Sequence, residues 1–252
     1  LAMTMLPIDR NTISDAIRRQ LLDLIAEQYE EGNCKLPTEQ QIADRFGVSR
    51  NTLRPVLSQM AGEGIILRRH GQGTFINPEA LAVCVNLQEM IDFSMIIERC
   101  GHSPSHDIYS LDEMPAGDIA SEKLHIAADD PVFRMEYWLY ADGIPAIVAE
   151  GWCSRDLFYK MPNREVWEKN YAFDILERYA GRKAHSDRVR VETMTTDKMH
   201  KLLGHETKLR CQSVLLLDSI AFDRQGEPLL WGRAYFDTNL IHFDLFRIDH
   251  GK

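Results

Sequence analysis

The sequence predicts an α+β chain: an N-terminal winged helix-turn-helix, then a C-terminal antiparallel sheet domain with flanking helices. Three observations carry that class. Apolar residues recur at helical spacing up to about Met60, two hairpin signals lie beyond Pro131, and charge divides unevenly between the two parts. The 252 residues are 44% hydrophobic and 27% charged, an ordinary globular composition that excludes collagenous or broadly disordered chains. The length suits two domains. Taken whole, the formal charge of −9 speaks against nucleic acid, whose phosphates attract clustered Lys and Arg.

Read by position, the charge says something else. Residues 9–77 hold nine basic and nine acidic side chains, so the entire −9 falls after Asn77. Residues 45–77 carry Arg45, Arg50, Arg54, Arg68 and Arg69 against Glu63 alone, a local +4 with His70 alongside. A basic strip of this kind suits DNA contact and equally suits a solvated face. Periodicity decides between them.

Ile13, Ile17, Leu21, Leu24 and Ile25 mark a first helix to about Tyr29, ended by Gly32. Thr38-Glu39-Gln40-Gln41 is a capping box for a short second helix with Ile42, Ala43 and Phe46 on its inner face, stopped by Gly47. Ser49 caps a third helix whose apolar side is Leu53, Val56, Leu57 and Met60, which leaves Arg50, Asn51 and Arg54 outward. Two short helices joined by a tight turn form a helix-turn-helix, whose second helix enters the major groove. Gly64–Arg69 and Gly71–Ile76 read as strands around a Gly-rich turn, a wing. Pro55 lies beyond the first turn of the third helix, so a kink or a late helix start is expected there.

The motif L-P-T-E-Q-Q-I-A-D-R-F-G-V-S-R-N-T-L-R at Leu36–Arg54, followed by G-I-I-x-R-x-H-G-Q-G-T-F-I at Gly64–Ile76, resembles the DNA-binding domain of the GntR family of bacterial transcription regulators. Carried over by position, the resemblance places DNA contacts at Gln40, Ser49, Arg50, Asn51, Thr52 and Arg54, and at the wing residues His70, Gly71 and Gly73. The chemistry agrees. Ser49 and Thr52 at a helix N-terminus suit phosphate, Arg50 and Arg54 suit guanine, and Asn51 suits adenine. Gly71 and Gly73 allow the wing backbone a close approach.

The expected domains are 9–77 for DNA binding, 78–86 as linker and 87–250 for the second domain. In the second, helices are expected near Leu87–Arg99, Asp118–Leu124, Trp167–Tyr179 (with a restart near Tyr171) and Thr196–Leu203. Strands are expected at Val132–Tyr140, Pro145–Cys153, Arg188–Met194, Ser213–Phe222 and Leu229–Phe236. The two hairpins echo each other. Aligned on the turn glycine, Gly143 matches Gly226, Pro145 matches Pro228, Glu150 matches Arg233 and Trp152 matches Tyr235. The echo implies two pseudo-equivalent halves with a ligand cleft between them, where Glu150 and Arg233 would face each other. The simpler reading is that a helix feeding a hairpin is a common unit. Trp138, Trp152, Trp231 and Tyr235 either line a pocket or fill a core, and core is the commoner use.

A-D-G-x-P-x-x-x-x-E at Ala141–Glu150 and F-D-x-x-G-x-P at Phe222–Pro228 resemble the UTRA effector domain of the HutC branch of GntR regulators, a domain that shares its fold with chorismate lyase. By position, that family's two pocket basics fall on Tyr137 and Leu139 and its serine on Ala172, departures that argue against a phosphate-bearing effector. Glu150 matches the acidic pocket position. The effector residues implied are therefore Glu150, Tyr137, Arg233, Tyr235 and Ala172. Arg188 and Arg190 flank Glu192 on alternate positions of a strand, one side of which reaches a ligand unless cross-strand ion pairs use them.

The function expected is a homodimeric, effector-controlled regulator of double-stranded operator DNA, most simply a repressor. The acidic second part would be repelled by DNA, leaving the winged helix as the docking face. The alternatives are a chorismate-lyase-like enzyme fused to a DNA-binding module, or a constitutive DNA binder with an effector-blind dimerisation domain. No acid/base pair, P-loop or nucleophile motif favours the enzyme, and no cofactor or metal is implied. His102 and His106 have helical spacing, but Pro104 spoils the helix, and His200 and His205 are not one turn apart, so surface histidines are expected rather than a metal site. The five cysteines are far apart and no C-x-x-C occurs, which points to reduced thiols in a cytoplasmic protein. No apolar run is long enough to span a membrane, no signal peptide is evident, and Leu1-Ala2 reads as a cloning remnant.

Overall fold

The computed structural model describes residues 10–81, 85, 87, 90, 92–244 and 247. The expected remnant Leu1-Ala2, residue 9, linker residues 82–84 and 86, and residues 248–250 lie outside them. The chain divides into two compact units that meet in sequence at residues 83 and 84.

The first unit is built as its periodicity demands. Helix α1 (Arg10–Glu30), α2 (Glu39–Phe46) and α3 (Arg50–Gly62) are followed by the antiparallel strands β1 (Ile66–Arg69) and β2 (Gly73–Ile76). Leu21, Ile25, Ile42, Leu53, Leu57 and Met60 are buried in one core, each contributing roughly 1.5–3 kcal/mol of burial. Thr38 and Gln41 complete the capping box, with Thr38 N donating to Gln41 Oε1 at 2.9 Å. Gly47 ends α2 in the left-handed region at φ 66°, where a side chain would be strained.

Of the kink or late start expected at α3, the late start does not occur. The helix starts directly after Ser49, whose hydroxyl accepts from Thr52 N at 3.1 Å, despite Pro55. The hydrogen bond that Pro55 cannot donate would have gone to the carbonyl of Asn51. The buried face from Leu53 to Met60 holds the helix through this position. At the wing's base the buried Asn77 donates from Nδ2 to Gly64 O at 2.8 Å. The next residues form a one-turn helix, α4 (Pro78–Leu81), within the segment expected as linker.

The second unit holds α5 (Phe93–Arg99), β3 (Pro104–Pro115), α6 (Gly117–Leu124), β4 (Pro131–Ala141), β5 (Ile144–Ser154), α7 (Arg164–Lys169), α8 (Ala172–Ile175), β6 (Ser186–Thr195), α9 (Thr196–Leu203), β7 (Ser213–Phe222) and β8 (Pro228–Phe236). Its six strands form one antiparallel sheet in the order β3-β4-β5-β8-β7-β6. That order is a pseudo-two-fold arrangement. Strand, helix and hairpin (β3-α6-β4-β5) repeat as β6-α9-β7-β8, and the halves join where β5 pairs with β8. One face of the sheet packs on α5, α7 and α8, and the other on α6 and α9.

Two element expectations change. The helix expected from Leu87 is confined to Phe93–Arg99, because Asp92 caps it by accepting from Met95 N at 2.9 Å. The long helix over Trp167–Tyr179 is instead α7, α8 and a π-helical turn at Leu176–Ala180, with Asn170 interrupting at the restart near Tyr171. Strand β3 was not expected at all. Among the described residues no helix is long and apolar enough to cross a membrane.

Candidate DNA interface and effector cavity

The start of α3 and the wing present the expected basic surface. Ser49, Arg50, Asn51, Thr52 and Arg54 are all exposed, as are Gln40 on α2 and His70, Gly71 and Gly73 at the wing turn. Gly71 and Gly73 take φ values of 72° and 112°, which fixes glycine at this tip. Gln40 donates from Nε2 to Asp44 Oδ1 at 2.8 Å, and Ser49 Oγ lies 2.8 Å from Thr52 Oγ1.

Glu39 organises the arginines. Its carboxylate meets Arg50 Nη2 at 3.7 Å, Arg54 Nε at 3.1 Å and Arg68 Nη2 at 3.4 Å, tying α2, α3 and β1 together. The three guanidinium groups remain substantially exposed, so each bridge holds only up to about 1 kcal/mol and exchanges readily for a phosphate or a base edge. Arg69 lies 4.7 Å from the Phe75 ring centroid, which steadies a further cation on the wing. Sequence reasoning missed Glu39 as part of this surface and held Arg68 and Arg69 only as members of the basic strip. Both were visible as charge, and the structure adds the groups they meet, Glu39 for Arg68 and the Phe75 ring for Arg69.

The second unit contains a cavity of about 140 Å³ against the α5 face of the sheet. Its walls come from Phe93 and Ile96, Met135 and Tyr137, Tyr171 to Phe173, Asp187 and Val189, Leu217 and Ser219, and Ala234 and Phe236. Its floor is open because Gly151 and Gly232 are cross-strand partners in β5 and β8 and neither fills the space with a side chain. Glycine inside a strand marks a place of close approach. A Cβ on Gly232 would meet only ordinary contacts, 3.5 Å to Glu150 O and 3.7 Å to Ser219 Oγ, so packing alone does not require glycine there. Tyr137 donates from its hydroxyl to Asn170 O at 3.4 Å, and Ala172 lines the wall at the start of α8.

Glu150 and Arg233 do meet across the junction of the halves, at 2.6 Å, but they do not face this cavity. Strand side chains alternate, and Ala149, Gly151, Gly232 and Ala234 already occupy the cavity side. Glu150 and Arg233 contribute wall through their backbone and send their side chains to the opposite face. There Glu150 accepts from Arg134 Nη2 at 3.2 Å and from the Tyr235 hydroxyl at 3.0 Å. The Arg233 guanidinium sits 5.1 Å and 5.2 Å from the Trp152 and Trp231 ring centroids, which are stacked 4.1 Å apart. Tyr235 therefore stands outside the cavity, in the core beneath α9, and Trp138, Trp152 and Trp231 are core residues too. Leu139 is buried in the core on the cavity's face without lining the cavity.

The cluster on that face continues to Glu136, whose side chain is 0% exposed and which lies 3.6 Å from Arg134. Glu136 accepts from Trp138 Nε1 at 2.8 Å and lies 2.9 Å from His205 Nε2. His205 is thus no free surface histidine: it stacks on Tyr109 and is three-quarters covered. Burial pulls its pKa down, but the hydrogen bond and charge of Glu136 outweigh that and leave it raised. Burial raises the Glu150 carboxyl against the opposing pull of Arg233, Tyr235 and Arg134, and it pushes the Tyr235 phenol well above its ordinary value. Of β6, Asp187 and Val189 reach the cavity, whereas Arg188, Arg190 and Glu192 project from the other side of the strand, exposed. Among the described residues no group of three His, Cys, Asp or Glu is placed to hold a metal ion.

Residues 10–76 match the family of bacterial regulatory proteins described as the gntR family, and residues 99–242 match the UTRA domain. The chain is 31% identical over 243 residues to the uncharacterized HTH-type transcriptional regulator YurK of Bacillus subtilis, covering 93% of this chain and 97% of that protein. It is 26% identical over 234 residues to the mannosyl-D-glycerate transport/metabolism system repressor MngR of Escherichia coli, covering 90% and 94%. The fold is similar to that of YydK, described as a possible transcriptional regulator of Bacillus subtilis, with a TM-score of 0.67 at 18% identity over 94% of this chain and 99% of that one.

Proposed function

The chain belongs to the gntR family of bacterial regulatory proteins, and from that premise we propose how its two units divide the work of a DNA-binding transcriptional regulator. The winged helix, over residues 9–77, docks on operator DNA. Arg50, Arg54 and Asn51 read base edges, Ser49, Thr52 and Gln40 hold the backbone, and His70, Gly71 and Gly73 bring the wing against the sugar-phosphate. Residues 78–86 link this domain to an effector domain that runs to residue 250. The protein acts in the cytoplasm as a homodimer, so two recognition helices read the half-sites of a palindrome. The observation that carries this reading is the cluster of exposed arginines on a capped helix and wing, gathered by one carboxylate and free to exchange it for DNA.

The cavity between α5 and the sheet is the effector site, with Tyr137 and Ala172 in its wall. An effector that binds the DNA-competent and DNA-incompetent states unequally shifts the balance between them, and release from the operator gives repression relieved by ligand. MngR is named a repressor, which supports the same sign here. The chorismate-lyase-like alternative is not favoured, since the relatives are named as regulators.

In vitro selection from random duplexes tests the reading. The full chain should enrich a palindrome, bind it with strong salt dependence and protect half-sites about one helical turn apart. Enrichment of no sequence would overturn specific DNA recognition.

A further inference from the structure

The effector cavity has an unbalanced charge character. Four carboxylate- or guanidinium-bearing residues contribute to its walls: Asp92, Glu150, Asp187 and Arg233. Arg233 is committed to Glu150 and to the tryptophan pair on the far side of the sheet, and Glu150 is committed with it. On the cavity side there remain Asp92, at the cap of α5, and Asp187. Asp187 sits two residues from Val189 on β6, so both point to the same face, and both line the space. Among the described residues no cation pairs with Asp187, and burial raises its carboxyl above the ordinary range. A partly desolvated carboxylate without a counterion is stabilised by any cation delivered to it.

The rest of the wall is suited to the same charge. Phe93 packs edge-on to Tyr171 at 6.5 Å between ring centroids, Phe93 lies 6.2 Å from Phe236, and Tyr137 lies 6.2 Å from Tyr171. Rings grouped around a small space attract an ammonium through their negative faces. The volume, near 140 Å³, admits a compact organic molecule.

We infer that the effector is an organic cation, a compact apolar or aromatic body bearing an ammonium group that Asp187 neutralises inside the aromatic wall. The inference rests on the reading of this cavity as the effector site.

Calorimetric titration of the full chain with three probes on one skeleton tests it: 2-phenylethylamine, 2-phenylethanol and phenylacetate. The amine should bind about tenfold or more tightly than either of the others. Asp187→Asn should weaken the amine by a similar factor while leaving the alcohol unchanged and the melting temperature no lower than wild type, and Gly232→Val should weaken all three by filling the floor. Equal binding of the three probes, tighter binding of phenylacetate, no amine binding at millimolar concentration, or an Asp187→Asn variant that binds the amine like wild type would each overturn the cationic class. Operator release separates this failure from failure of the effector reading. Release by an anionic or neutral metabolite fraction that Gly232→Val abolishes keeps the cavity as effector site and rejects the cation. Release by any fraction that is undiminished in Gly232→Val rejects both.

Discussion

Two clusters in this molecule place carboxylates among arginines, and they do opposite jobs. Glu39 gathers Arg50, Arg54 and Arg68 at the surface of the winged helix, where each guanidinium is 40% exposed or more. Glu150 and Glu136 gather Arg134 and Arg233 inside the sheet domain, where both carboxylates are almost wholly covered. The chemistry is shared and the dielectric is not. An exposed bridge is nearly neutral in free energy and gives up its arginine to a better anion, whereas a buried one, once broken, leaves a charge with no solvent. In the function proposed above, the first cluster exchanges partners with DNA. The second pins the junction of the two half-sheets.

Substitutions separate the two. Glu150→Ala strands Arg233 in the interior and is expected to cost about 3–5 kcal/mol of stability, measured by urea denaturation of the full chain. A loss below about 1 kcal/mol would place the buried cluster in the same class as the exposed one. Arg50→Ala should leave the denaturation midpoint unchanged and cost about 1–3 kcal/mol of operator affinity, with base preference relaxed at the position it reads. Glu39→Gln is expected to change stability by less than about 1 kcal/mol. It should also raise affinity for non-operator DNA and steepen the salt dependence, because three arginines lose their internal competitor; unchanged non-specific binding would remove Glu39 from the interface.

The smallest expected effect concerns pH. His205 and Glu150 both have folded-state pKa values raised above their ordinary ones, so the folded state holds their protons more tightly than the unfolded state. The stability linked to His205 is fully present below its ordinary value of about 6.5 and is lost as pH rises through its folded value. That linked to Glu150 is lost in the same direction, starting from about pH 4.5. Denaturation midpoints measured across neutral pH should therefore decline for the wild type, and His205→Gln should flatten the decline. A profile indifferent to that substitution would disconnect His205 from Glu136.

The two units also differ in how much of them the sequence reveals. The winged helix is written in local signals: the Thr38 and Ser49 caps, the Gly47 stop and the wing glycines each specify backbone geometry within a few residues. Helical periodicity turns Arg50, Asn51 and Arg54 outward, the family resemblance adds Gln40, Ser49, Thr52 and the wing residues, and Glu39 was hidden because its partners come from α3 and β1. In the sheet domain the local signals run out. Strand β3 escaped notice because it is a half-exposed edge strand with a shift in register near Tyr109, so it lacks a clean apolar alternation. The echo between hairpins carried real information, but each half of it began at a helix, so it did not reach β3. It paired Glu150 with Arg233 correctly but carried no sheet face for them, since facing depends on which alternate set holds Gly151 and Gly232. Asp187 was passed over for Arg188 and Arg190 for the same reason, a one-residue difference in register that exchanges the cavity side for solvent.

The division of labour between the two clusters is tested most directly by one titration: fluorescence anisotropy of the selected operator, and of a scrambled duplex, with wild type and Arg50→Ala at matched salt. A loss for Arg50→Ala of about 1–3 kcal/mol on the operator, with little change on the scrambled duplex, is the result expected of an arginine released from Glu39 to read a base. Wild-type affinity of Arg50→Ala for both duplexes would contradict it and remove the start of α3 from the DNA.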